Sequence, residues 1–110
     1  LFVAKVHKIA ERIDQPDRLV EKDALDVLRL LRAIPTDTLA GGLRRLADTE
    51  VAGTVTVEAI KHADTLLTDA DAPGARMAAR AVGDLEDPLT VALSLAALVG
   101  DLLADYRRQQ

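Results

Sequence analysis

Cysteine is absent from the 110 residues. That excludes disulfides, thiolate zinc sites and cysteine nucleophiles. Aromatic residues amount to 2%, namely Phe2 and Tyr106, so stacking platforms for single-stranded nucleic acid have little to be built from. The two histidines, His7 and His62, stand far apart with no HExxH spacing, and no histidine-based metal site is expected. An excess of positive charge is lacking too. The formal net charge is −4 and the pI about 5.1, which argues against binding a phosphate backbone through bulk charge. The longest apolar run, "VALSLAALVG" from Val91 to Gly100, is too short to span a bilayer and is followed by Asp101. No signal-peptide pattern is present, so no membrane association and a cytoplasmic location are expected. There is no GxGxxG, no GxxxxGK[ST] and no GxSxG.

What is there is a chain with 49% hydrophobic residues, enough for a core and too many for disorder. Its length suits one domain. The chain starts at Leu1, directly in an apolar helical pattern and without a capping residue. It is therefore expected to be a piece of a longer protein, forming a single helical domain over residues 1–110.

The hydrophobic pattern is helical throughout, and only "VAGTVTVEA" offers a short strand-like stretch. A first helix is predicted from Phe2 to Ile13, with Phe2, Val6, Ile9 and Ile13 on one face. A loop follows from Asp14 to Arg18, broken by Pro16. The second helix is predicted from Lys22 to Ile34, stopping before Pro35. The third spans Asp37–Ala47, with "TDT" supplying a cap and Gly41 and Gly42 inviting close approach of another helix. The fourth spans Val55–Leu67, with Thr54 as cap and Val57, Ile60, Leu66 and Leu67 as its apolar set. The fifth spans Pro73–Val82, with Asp71 as cap. The sixth runs from Pro88 to Tyr106, where Asp87 as N-cap and Pro88 at the first helical position give a strong start signal. It is apolar on most sides and should be central, or cover something else. The expected fold class is all-α, a bundle of five or six short helices.

One charged residue stands out in "EKDALDVLRLL", Glu21 to Leu31. At about 100° per residue, Asp23 shares a stripe with Val27, Leu30 and Ile34. Asp26 lies at the edge of that face, while Arg29 and Arg32 point away. A carboxylate in the first helical turn is stabilised by the unpaired N–H groups there, by about 0.3–1 kcal/mol, and that alone would account for Asp23. On the first helix, Lys5 and Arg12 share a stripe beside the apolar edge of Phe2 and Ile9. A lysine there is accounted for by laying its stem over apolar surface. If the two helices form an antiparallel hairpin, Arg12 and Asp23 both lie near the loop and should pair. Lys5 lies about 10 Å further along, so a direct Lys5–Asp23 bridge is less natural, although both would point into one cleft. "DADAPG" (Asp69 to Gly74) lacks EF-hand ligand spacing and reads as a helix-start loop. "LRRL" (Leu43 to Leu46) reads as a solvated basic face.

These residues together resemble a known pattern. "LFVAKVHKIAER" followed by "EKDALDVLRLL" is similar to the C-terminal helical part of AbiEii-like nucleotidyltransferases. The likeness rests on Ala4-Lys5, on Arg12, on Lys22-Asp23-Ala24-Leu25-Asp26-Val27 and on Leu30-Leu31, and it extends from Leu1 to Ile34. The resemblance implies that Lys5 contacts nucleotide phosphate and that Asp23 belongs to the catalytic set. Asp26, Arg12 and Lys22 would support them. Lys22 stands where the family usually has arginine, keeping the charge but losing the bidentate fork. The family's strand-borne Asp-x-Asp/Glu pair, which binds the magnesium ions that carry a nucleoside triphosphate, has no counterpart here.

The resemblance thus implies a helical subdomain forming one wall of a nucleotide/Mg cleft, with an N-terminal nucleotidyltransferase domain of the same protein as its partner. The alternative is a non-enzymatic helical module for protein interaction or regulation, in which the apolar sixth helix serves an interface.

Overall fold

A computed structural model describes residues 1–109. Its elements are α1 (Phe2–Glu11), α2 (Arg18–Ala33), α3 (Thr36–Ala47), α4 (Gly53–Leu67), α5 (Pro73–Val82) and α6 (Pro88–Arg108). No strand occurs among the described residues, and the "VAGTVTVEA" stretch lies at the start of α4. The all-α bundle of six helices is as expected, and its extents are 40 × 25 × 20 Å.

The largest departure from the sequence reading is the start of α2. It begins at Arg18, not Lys22. Asp17 sits in extended conformation as N-cap, and its carboxylate accepts a hydrogen bond from the Val20 N–H at 2.9 Å. This satisfies one of the helix's otherwise unpaired donors. The extra turn moves Asp23 out of the first turn, where Glu21 now stands. The first-turn account of Asp23 therefore falls. α2 ends where Ile34 turns extended ahead of Pro35.

The other caps differ in detail. α3 is preceded by Pro35, and Asp37 instead accepts from the neighbouring Thr38 N–H at 2.8 Å. α4 starts at Gly53, because Thr49 Oγ1 accepts from the Ala52 N–H at 3.1 Å and tightens the turn before it; Thr54 is not its cap. Asp71 does not cap α5 either: Ala72 holds that place, and Asp69 shapes the turn by accepting from Asp71 N–H at 2.8 Å. Gly83, at φ 58°, ends α5 in a region open mainly to glycine. For α6 the prediction holds. Asp87 accepts from both the N–H and the hydroxyl of Thr90, at 2.9 and 2.8 Å, and Pro88 opens the helix.

α6 is the axis of the core. It packs against α2, α3, α4 and α5, and Val91, Leu95, Val99, Leu102 and Leu103 are fully buried or nearly so. By length and composition alone it is the one helix among the described residues able to cross a membrane, but its inner face belongs to this core. α2 lies between α1 and α5 and contributes Val20, Ala24, Val27, Leu28 and Leu31. Each such leucine contributes roughly 1.5–3 kcal/mol by leaving water. On α4 the buried ridge is Thr56, Ala59, Ile60, Ala63 and Leu67, whereas Val57 is exposed.

Close helix approach occurs elsewhere than at the glycine pair of α3. A Cβ on Gly41 or Gly42 would meet only the ends of Arg45 and Gln109, at 3.5 Å or beyond. A Cβ on Gly74 would lie 2.3 Å from Leu67 Cδ2 and 2.7 Å from the Leu66 carbonyl oxygen. Gly74 is what lets the start of α5 rest on the end of α4. The basic patch of α3 is also not wholly solvated, since the Arg44 guanidinium lies 4.8 Å from the centre of the buried Tyr106 ring.

Candidate functional site

α1 and α2 form the expected antiparallel hairpin, with a different register. With one more turn on α2, Arg12 faces the loop residue Asp17 at 3.8 Å, both exposed, and does not pair with Asp23. Lys5 takes that place. Its Nζ donates to Asp23 Oδ1 at 2.6 Å and to Asp26 Oδ2 at 3.1 Å. The predicted obstacle to a direct Lys5–Asp23 bridge disappears once the true start of α2 is used. Arg29 approaches the other oxygen of Asp26 at 3.4 Å, one turn along the same helix.

The stripe assigned to Asp23 is also displaced. The buried ridge of α2 runs through Ala24, Val27, Leu28 and Leu31, while Leu30 and Ile34 are half-buried. Asp23 stands on the α1-facing flank of that ridge, its side chain 13% exposed, beside Lys5 at 22% and Asp26 at 32%. The pairing keeps an acid at the core edge from being an unpaired buried charge. The Lys5 ammonium has its pKa raised above the ordinary 10.5, first by the hydrogen bond to Asp23 and second by that to Asp26, against a smaller opposing effect of burial. Lys5 is therefore a cation at any physiological pH. Of its three N–H donors, two are spent on the aspartates and one is free for another acceptor.

Beside this cluster is a depression of about 170 Å³ lined by Lys8, Glu11, Arg12, Asp17, Leu19, Val20 and Asp23. Asp23 and Arg12 thus share a concavity without touching. Lys22 lies elsewhere: with Arg18, Glu21, Arg29 and Arg80 it lines a groove of about 370 Å³ between α2 and α5. There Arg80 is ion-paired to Glu21 across the two helices, a link whose 59-residue separation leaves no trace in sequence periodicity. Another concavity, about 500 Å³, lies at the α3–α4 connection and is lined by none of the predicted residues.

Magnesium does not fit this cluster. The facing oxygens of Asp23 and Asp26 are already held by an ammonium, and no group of three or more carboxylate or histidine side chains suits a metal among the described residues. His7 and His62 do meet, ring to ring at 5.5 Å, with His7 Nε2 3.0 Å from the Val55 carbonyl oxygen, a contact between α1 and α4 that the sequence did not suggest.

Compared with protein-family models, curated proteins and solved structures, the chain has no significant match.

Proposed function

We propose that this chain is the helical subdomain of a nucleotidyltransferase-like protein and forms one wall of its nucleotide cleft. What supports the reading is that Lys5, Asp23 and Asp26, the three charged positions at the heart of the AbiEii-like pattern, converge on one point although Asp23 and Asp26 lie 18 and 21 residues beyond Lys5. In this reading the free N–H of Lys5 contacts a phosphate oxygen of a bound nucleoside triphosphate. Asp23 holds Lys5 charged and aimed, and reaches the cleft through the depression it shares with Arg12. Asp26, braced by Arg29, is a support.

The reaction is attack of an acceptor hydroxyl on the α-phosphorus. The bond to the β-phosphate oxygen breaks, pyrophosphate leaves, and the hydroxyl proton passes to a base. This chain's contribution is positional and electrostatic. Magnesium would be held by an N-terminal nucleotidyltransferase domain of the same protein, and no step here runs through it.

The second reading, a non-enzymatic interaction module, is favoured by one observation: Leu89 and Leu93 on α6 are 63% and 53% exposed.

Transfer of labelled nucleotide by the intact protein, compared between wild type and Asp23→Asn, tests the first reading. A large loss with unchanged fold supports it. Unchanged turnover removes Asp23 from the mechanism.

A further inference from the structure

The groove between α2 and α5 gathers cations on a chain whose formal net charge is −4. Arg18, Lys22, Arg29 and Arg80 line it, and Glu21 is the one carboxylate among its described lining residues. Positive charge concentrated in a concavity focuses its field there. Arg18, Lys22, Leu25 and Arg29 fall within about 60° of one another around α2, so the helix presents them as one stripe. Arg80 enters from α5 at the level of Glu21, to which its Nε is bonded.

Ion pairing does not use these cations up. Arg18 and Lys22 have no acidic partner among the described residues. Arg80 spends only its Nε on Glu21 and keeps both terminal nitrogens. Arg29 spends Nη1 on Asp26 and keeps Nη2 and Nε. The two carboxylates thus orient the guanidinium forks without closing them. Arg18 and Lys22 stand one turn apart on the same face, a like-charge spacing that weakens a helix. An anion between them turns that repulsion into attraction.

We infer that this groove is a binding site for a chain of phosphate groups, with inorganic oligophosphate as its ligand class. The first phosphate sits among Arg18, Lys22 and Arg80, where two planar forks and a point charge share its oxygens. Arg29 stands seven residues, or about 10 Å, further along α2 than Lys22, so only a chain of phosphates comes within its reach. Between the two poles the lining is Leu25 and Ala81, with no acid to repel the chain. No aromatic residue lines the groove, so a nucleobase finds nothing to stack on. The site is separate from the Lys5–Asp23 contact, which joins α2 to α1, and it stands whether or not the chain belongs to a nucleotidyltransferase.

Calorimetric titration of the intact protein with inorganic phosphate, pyrophosphate and tripolyphosphate, in the absence of magnesium, tests this. Affinity is expected to rise with each added phosphate and to fall as salt is raised. Arg18→Gln combined with Lys22→Gln is expected to weaken tripolyphosphate binding at least about tenfold, with helicity unchanged because both side chains are exposed. Arg29→Gln is expected to weaken tripolyphosphate binding and leave pyrophosphate binding as it was, a split that diffuse charge does not produce. Lys61→Gln, at an exposed position on α4, is expected to change neither. The proposal is overturned if tripolyphosphate does not bind, or if Lys61→Gln costs as much as the double variant, which would mean bulk charge alone. Loss on Lys5→Met with none on the double variant would also overturn it, by placing the anion at the α1–α2 hairpin. So would adenosine triphosphate binding far more tightly than tripolyphosphate, since the base would then be what is recognised.

Discussion

Lys5 Nζ lies 2.6 Å from Asp23 Oδ1 and 3.1 Å from Asp26 Oδ2. One cation thus ties α1 to two successive turns of α2, at a flank where the aspartate is mostly shielded from water. This contact is both the clamp of the hairpin and the centre of the proposed site.

Because the pair is only partly exposed, it is expected to couple more strongly than a surface ion pair. A double-mutant cycle with Lys5→Met and Asp23→Asn, read by urea unfolding, is predicted to give a coupling energy of about 1–2 kcal/mol. Exposed pairs give about 0.2–1 and charged hydrogen bonds about 1.5–3. The same cycle on Arg12 and Asp17, both exposed and 3.8 Å apart, is predicted to give less than about 0.5 kcal/mol.

The raised pKa of Lys5 carries a sign. A group that binds its proton more tightly when folded contributes stability that is complete below its unfolded value, near 10.5. That contribution is lost as pH rises through the higher folded value. Wild type should therefore lose stability relative to Lys5→Met in alkali above about pH 10.5, and the two should run parallel between pH 6 and 9. Parallel curves through pH 12 would contradict the pairing.

At the other end of the scale, Asp87 has its pKa lowered from 3.8, chiefly by the hydrogen bond from the Thr90 N–H and then by that from its hydroxyl. Its contribution is present above 3.8 and lost as pH falls through the folded value. Asp87→Ala is predicted to lower the thermal midpoint at pH 7, with the gap to wild type narrowing as pH falls below 3.8.

Two glycine substitutions should have opposite signs. Gly42→Ala meets only the Arg45 side chain at 3.9 Å and is predicted to stabilise by up to about 1 kcal/mol through helix propensity. Gly74→Ala drives a methyl into Leu67 and the Leu66 carbonyl, and is predicted to destabilise by about 1–3 kcal/mol. Thermal unfolding of the two variants distinguishes them.

The six helices were legible because proline, glycine and aspartate mark several of their ends, most clearly at Asp87-Pro88, where α6 starts. The start of α2 was misplaced because Pro16 marks a loop that the sequence reading extends through Arg18, whereas Asp17 caps the helix directly after that proline and Val20 of the first turn is already buried. That turn changed the hairpin register and with it the expected partner of Asp23, from Arg12 to Lys5. On α4, Val57 drew attention by its hydrophobicity, while the buried ridge is built largely on Ala59 and Ala63. Small residues announce a core weakly in sequence, yet they are what allows helices to approach. Lys5, Asp23 and Asp26 could be singled out as residues; their meeting depends on a register that only the folded hairpin fixes.

The claim that Lys5 and Asp23 act together on a nucleotide is tested most directly by one measurement: magnesium-dependent nucleotide transfer by the intact protein, in wild type, Lys5→Met, Asp23→Asn and the double variant, each checked for folding. The prediction is a loss of about 10²–10³ in kcat/KM for each single variant, with little further loss in the double. Full turnover in the folded Lys5→Met variant would contradict it.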